Sequence, residues 1–206
     1  MAAVKLTKNE QKKQKDALKQ FQRYLPTLQL KKQQLQSVIR QIESQIAEYR
    51  KEQEALLNSL KVWIAVYGEN ASFDSTHSLE NLVVIDTILK GRGNIAGVQI
   101  PVFKDLTFKS IPYDLFDYPL WVDRGIDALK QCSRYDALVA TLQEQIDLLG
   151  KELRTTSQRV NLFEKVKIPE AKDNIRKIGI YLGDQQTAAV VQGKIAKKKL
   201  EKGKEA

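Results

Sequence analysis

The sequence predicts a mainly α-helical chain: a long antiparallel two-helix coiled coil with a small mid-sequence β-hairpin. Three observations predict it. An apolar seam of period 3.5 runs through the first third of the chain, a second such seam runs through the last part, and a β-branched, glycine-punctuated stretch separates them. The expected division is an N-terminal helix over 1–67, a hairpin-and-loop insert over 68–121, and a C-terminal helix with a basic tail over 122–206.

The first helix is read by stepping alternately three and four residues from Leu18. This gives Leu18, Phe21, Leu25, Leu28, Lys32, Leu35, Ile39, Ile42, Ile46, Tyr49, Gln53, Leu56, Leu60, Trp63 and Tyr67, an almost wholly apolar set broken by Lys32 and Gln53. A narrow seam sustained over so many turns is the mark of a coiled coil, and polar seam residues fix register at some cost in stability. Pro26 removes one backbone hydrogen bond, so a bend near 22–26, or a frayed N-terminal turn joined there, is expected.

In the insert, LVVIDTIL (82–89) and IAGVQIPVF (95–103) read as two strands, with GRGN (91–94) as the turn between them. Pro101 places its strand at an edge, and Gly97 suggests a bulge or a close backbone approach. SIPYDLFDYPLW (110–121) reads as an aromatic-rich loop leading into the second helix near Val122. Because the insert is used up in a compact hairpin, it is not expected to run back along a first helix of about 90 Å, and the two helices should pack antiparallel.

The second seam runs Val139, Leu142, Ile146, Leu149, Leu153, Thr156, Val160 and Phe163, loses register at Lys167, and resumes as Ile168, Ala171, Ile175, Ile178, Leu182, Gln185 and Ala189. The break coincides with Pro169, so the proline sits where supercoil packing is already being reset. Beyond it the residues shrink to Gly179, Gly183, Ala188, Ala189, Gly193 and Ala196. Glycine weakens a helix by about 1 kcal/mol per site relative to alanine, so this end should borrow stability from a partner.

Charge is distributed unevenly. The formal net charge is +9, of which residues 1–23 carry +5 and residues 190–206 carry +4, while 24–189 is balanced. If the helices are antiparallel, both basic ends lie at one tip. The motifs of catalysis are missing. GRGN lacks the GK[ST] of a phosphate loop, Asp114 and Asp117 read as helix-entry and solvation groups, His77 has no partner in the sequence, and Cys132 reads as a small semi-buried residue. The lone cysteine excludes an internal disulfide, and the apolar run VWIAVY (62–67) is too short to span a bilayer.

Three motifs carry a resemblance. Arg159-Val160-Asn161, Glu164 and Ile168-Pro169, followed by Ile175 and Ile178, resemble the RVN-x-x-E-x-x-x-IP pattern of the central-stalk D subunit of V-type and A-type rotary ATPases. TLQLKKQQL (27–35) is similar to that family's L-K-x-K-R-x-x-L segment, and NIAGVQIPVF (94–103) to its N-x-x-G-V-x-x-P strand. The resemblance implies a central rotor shaft, with its terminal helix ends in the bore of a hexamer of catalytic and non-catalytic A and B subunits. It further implies a mid-sequence end facing the connecting subunit of the membrane rotor, and a small F subunit clasped to the side. By the same resemblance the complex couples proton or sodium movement to ATP synthesis or hydrolysis. The chain itself would be non-catalytic, without cofactor or metal, cytoplasmic, and peripheral to the membrane rather than inserted in it. The partner-interface residues expected are Lys5, Lys8, Lys12, Lys13, Lys197, Lys198, Lys199, Arg159, Asn161, Glu164 and Pro169.

Two other classes share some of these features. A prefoldin-like chaperone also combines a helical hairpin with strands, and a basic-tipped coiled coil can act as an RNA-binding arm. The basic ends lack the interleaved aromatics that stack bases, so no nucleic-acid partner is expected.

Overall fold

The computed structural model describes residues 4–62, 79–114, 116, 118 and 121–202. Trp63 and Tyr67 of the first seam, along with His77 and Asp117, lie outside the described residues. Helix α1 spans Lys8–Lys61, strands β1 and β2 span Ile85–Ile95 and Val98–Phe108, and helix α2 spans Val122–Leu162. A five-residue π-helical turn, Phe163–Lys167, leads into helix α3, Ile168–Lys202. The chain forms two compact units, Gln33–Arg154 and Met1–Lys32 with Thr155–Ala206.

The start of α1 follows from its sequence. Thr7 accepts the Glu10 amide on its hydroxyl and the Gln11 amide on its carbonyl, and Glu10 stands in the first turn, where an acid complements the helix dipole. Helical geometry continues through Pro26, so no frayed turn is joined there. Every described seam position from Leu18 to Leu60 is buried or half-buried.

In the unit formed by Gln33–Arg154, Leu35, Ile42 and Ile46 of α1 share a buried core with Leu149 of α2. Tyr49 packs on Tyr135 with ring centroids 6.4 Å apart, and the polar seam residue Gln53 donates to Asp136 at 2.7 Å. Between these levels the partners on α2 fall from Leu149 to Tyr135 and Asp136 as α1 rises from Leu35–Ile46 to Tyr49 and Gln53, which makes the pair antiparallel, as the compact insert predicts. Gln53 shows how a polar seam residue fixes register: a shift would cost it this carboxylate.

The hairpin supplies the third layer of that core. Ile100 is buried in it, and Ile95, Ala96 and Val98 pack against it. The strands pair antiparallel from Ile85↔Phe108 to Ile95↔Val98, with irregularities between Ile85 and Thr87 and between Leu89 and Lys90. The ladder runs straight through GRGN, and the turn is Ala96-Gly97, at φ 52° and 83°. Two central residues at positive φ are what a tight two-residue hairpin needs, and Asn94 holds the loop by accepting the Gly97 amide at 3.0 Å. Gly97 is therefore the turn residue rather than a bulge. Gly93 serves the ladder, because Val102 occupies the space its β-carbon would need, whereas at Gly91 only the flexible end of Lys104 stands there. A second small core of Leu82, Val122 and Ile126 forms where the insert meets the start of α2.

In the other unit, Phe21 packs on Phe163 with centroids 5.2 Å apart, and Gln11 approaches Gly179. This pair of segments is also antiparallel. Thr156, Val160, Ala171 and Ile178 are buried on the seam, and Leu182 is its last half-buried member. The periodicity places Gln185 and Ala189 on the seam, but both are exposed, as is every residue from Gly183 to Lys199. The cause is length: α1 begins at Lys8, and its Gln11 already stands beside Gly179.

Candidate partner interface

Pro169 sits just inside α3, where a proline ring would normally strike the carbonyl four residues earlier. The π turn resolves this locally. The Ile168 amide bonds to the Phe163 carbonyl, five residues back, so the backbone widens by one residue immediately before the proline. The same insertion explains the seam. From Phe163 to Ile168 the step is five residues, one more than a helical seam takes, and the extra residue is absorbed so that Ala171 and Ile178 return to burial.

Around this turn the structure gathers Arg159, Asn161, Glu164 and Pro169, all exposed. None belongs to the seam; between them Val160 faces inward at 4% exposure. Leu162 and Val166, which the sequence reading did not single out, are also exposed. The five-residue step in the seam is the signal that marks their turn.

The basic residues are placed differently. Lys5 precedes α1, and Lys8, Lys12 and Lys13 lie on its first turns, all exposed. Lys197, Lys198 and Lys199 are exposed on α3. With Gln11 beside Gly179, Lys197 stands 18 residues further along α3, about 27 Å beyond that contact. The two clusters therefore share one end of the unit but are staggered, and do not merge into the single tip that antiparallel pairing alone suggests.

Elsewhere the chemistry is sparse. An apolar cavity of about 310 Å³ is lined by residues including Leu57, Leu60, Leu79, Trp121 and Cys132. Burial pushes the Cys132 thiol upward, and the nearby Asp136 charge adds to this. Among the described residues the buried polar side chains are engaged: Thr141 donates to the Ala137 carbonyl, and Gln145 to the Pro101 carbonyl, which fastens β2 to α2. Among the described residues no cluster of three His, Cys, Asp or Glu is placed to hold a metal, and no helix is long and apolar enough to cross a membrane.

A family model described as the D subunit of ATP synthase matches residues 10–198 of this chain. The chain belongs to the ATP synthase D subunit family. Its similarity to a V-type ATP synthase D subunit of Borreliella burgdorferi is 52% identity over 200 residues, covering 97% of this chain and 96% of that protein. A V-type ATP synthase D subunit of Chlamydia muridarum is 36% identical over 202 residues, with 98% of each chain covered. One of Chlamydia pneumoniae is 34% identical over 198 residues, covering 96% of this chain and 93% of that protein. The resemblance read from Arg159 to Pro169, and from the segments 27–35 and 94–103, is thus borne out over nearly the whole length of the family's sequence.

Proposed function

We propose that this chain is the central rotor shaft subunit of a V-type rotary ATPase, carrying torque between the catalytic head and the membrane rotor. The observation that carries the reading is the union of family membership with an antiparallel apolar seam in each compact unit. Torque transfer asks for laterally packed helices that resist unwinding, and a coiled-coil seam supplies that resistance. The chain's role is mechanical, and catalysis belongs to its partners.

The exposed end of α3 fits this role. Residues 183–199 are exposed throughout, yet they include Val190, Val191 and Ile195, each at least half exposed. Gly183 and Gly193 weaken the helix by about 1 kcal/mol each relative to alanine. Such a segment gains by entering an enclosing partner, here the bore of the A and B subunits. The staggered lysines then meet acidic walls at two depths. Because the screening length is about 8 Å at physiological ionic strength, they act on insertion rate and centring more than on final geometry. The central-stalk F subunit and the connecting subunit of the membrane rotor complete the set of partners, and the complex places the chain at the cytoplasmic face of a membrane.

Replacing Lys197, Lys198 and Lys199 together with Gln tests the reading. Insertion into a head reconstituted from A and B subunits should slow, and its rate should depend less steeply on salt, while circular dichroism stays unchanged. A wild-type chain that fails to enter the head would overturn the shaft reading; a triple variant that enters at the wild-type rate across the salt series would overturn the electrostatic part.

A further inference from the structure

A two-stranded sheet has two outer edges, and in this hairpin only one of them is closed. The two-residue turn at Ala96-Gly97 makes Ile95 and Val98 a hydrogen-bonded pair, so the alternation of the ladder turns the N–H and C=O of Asn94, Arg92, Lys90 and Ile88 away from β2. The irregularity between Leu89 and Lys90 puts its extra residue, Lys104, on β2, and β1 alternates without interruption from Thr87 to Ile95. On β2 the outward position opposite Arg92 is Pro101, which has no N–H and whose carbonyl accepts from Gln145 of α2. The β2 edge is thus closed by a proline and a helix, and β1 carries the open one.

The side chains along that edge are apolar and oppositely charged. Every residue from Ile85 to Lys90 is exposed, with Ile85, Ile88 and Leu89 at 44%, 44% and 49%. Lys90 is held by Glu144, whereas Asp86 and Arg92, both exposed, form no ion pair among the described residues. Charge on an open edge ordinarily repels a second strand. Here the two signs stand three residues either side of Leu89. A second β1 laid antiparallel about Leu89 therefore brings Asp86 of each copy alongside Arg92 of the other. The same register sets Ile88 against Lys90, so outward backbone groups meet outward backbone groups. It also sets Thr87 against Gly91 and Ile85 beside Gly93, so side-chain bulk on one copy faces bare backbone on the other.

We propose that the β1 edge is a self-association surface, on which two copies of the unassembled chain join β1 to β1, antiparallel about Leu89, into a four-stranded sheet. A two-fold axis at Leu89 makes the patch complementary to itself, with one Asp86–Arg92 pair on each side. Main-chain bonds and the three apolar side chains supply the attraction, and the charge pairs select the register. The contact is one strand wide, which makes it weak and reversible. It goes beyond the shaft reading, since it concerns the chain before any other subunit is present.

Sedimentation equilibrium of the isolated full chain should show a concentration-dependent monomer–dimer equilibrium. D86R and R92D each place like charges together on both sides of the axis and should weaken dimerisation by about tenfold or more. Mixing the two variants should restore dimers, because each supplies the sign the other lacks, a rescue that damage to the fold would not give. Both side chains are exposed, so melting temperatures should match the wild type. Should either variant fail to fold, cross-linking carries the test: in a C132A background, L89C should join to its own counterpart on mild oxidation and N94C should not. Monomers at every concentration would overturn the inference and leave the edge to a strand of a different protein. Dimers that persist in both single variants, or equal cross-linking at 89 and 94, would place the contact elsewhere and also overturn it. The shaft reading stands in each of these cases.

Discussion

Gly93 faces space that the opposite strand already fills. A β-carbon built there would lie 2.9 Å from Val102 Cγ2 and 3.3 Å from Ile100 Cγ1, and Ile100 is held in the core. Gly93→Ala should therefore destabilise by about 1–3 kcal/mol, the usual cost of overpacking. Gly150 is the contrast, a helical glycine with open space around it; Gly150→Ala should stabilise by about 1 kcal/mol. Thermal melts of the two variants check both signs. Tyr113 offers a pH test. Its hydroxyl donates to Asp123 in the first turn of α2, and this bond, reinforced by desolvation and by the Asp123 charge, holds the phenol above the ordinary tyrosine value of 10.0. A raised folded value means the contact contributes fully below about pH 10 and is lost as pH climbs through the raised value. An ultraviolet titration should show phenols ionising late in the native protein, Tyr135 among them because burial raises it too, and the amplitude of that late phase should fall in Tyr113→Phe.

At the scale of elements, the π turn and the hairpin turn are each set by one or two residues working against a longer pattern. Pro169→Ala restores an amide that can reach the Lys165 carbonyl, while the five-residue seam step that needs the π turn remains. The variant should keep the turn and gain about 1 kcal/mol, the net worth of one hydrogen bond. Denaturant unfolding measures the gain, and slowed exchange at the new amide would locate it. The hairpin is tied to α2 by the Gln145 bond to Pro101 and by the Lys90–Glu144 ion pair at 2.7 Å. Both ion-pair partners are substantially exposed, so Lys90→Ala should cost no more than about 1 kcal/mol.

For the whole molecule, stability in the Gln33–Arg154 unit concentrates where three elements meet. Leu35 and Leu149 are fully buried in that core. Leu35→Ala and Leu149→Ala should each cost about 2–5 kcal/mol, and their double variant should depart from additivity because they share one core. In the other unit, the stagger of the basic clusters has a direct readout. Spin labels at Lys12 and Lys177 should lie about 10–15 Å apart, from helices packed at ordinary distance, whereas labels at Lys12 and Lys198 should lie about 30 Å apart.

The seams were legible because a 3.5-residue period is a local property of the chain, and it placed Leu35, Ile42, Ile46, Leu149, Val160 and Ile178 inside before any contact was known. The position of the register break at Pro169 followed from it, and the antiparallel pairing from the compactness of the insert between the two seams. Other features depended on atoms distant in sequence. GRGN looked like a turn on its own, but only pairing with β2 reveals that Gly93 yields space to Val102 while Ala96-Gly97 makes the turn. The five-residue step was visible, yet its form as a π turn depends on which carbonyl the Ile168 amide finds. The end of the covered seam at Leu182 is set by where α1 begins, since a helix buries its stripe only as far as its partner extends. Periodicity is therefore written into the sequence, whereas register, turn position and the limit of burial were decided by tertiary structure, because each is a relation between two segments and not a property of either.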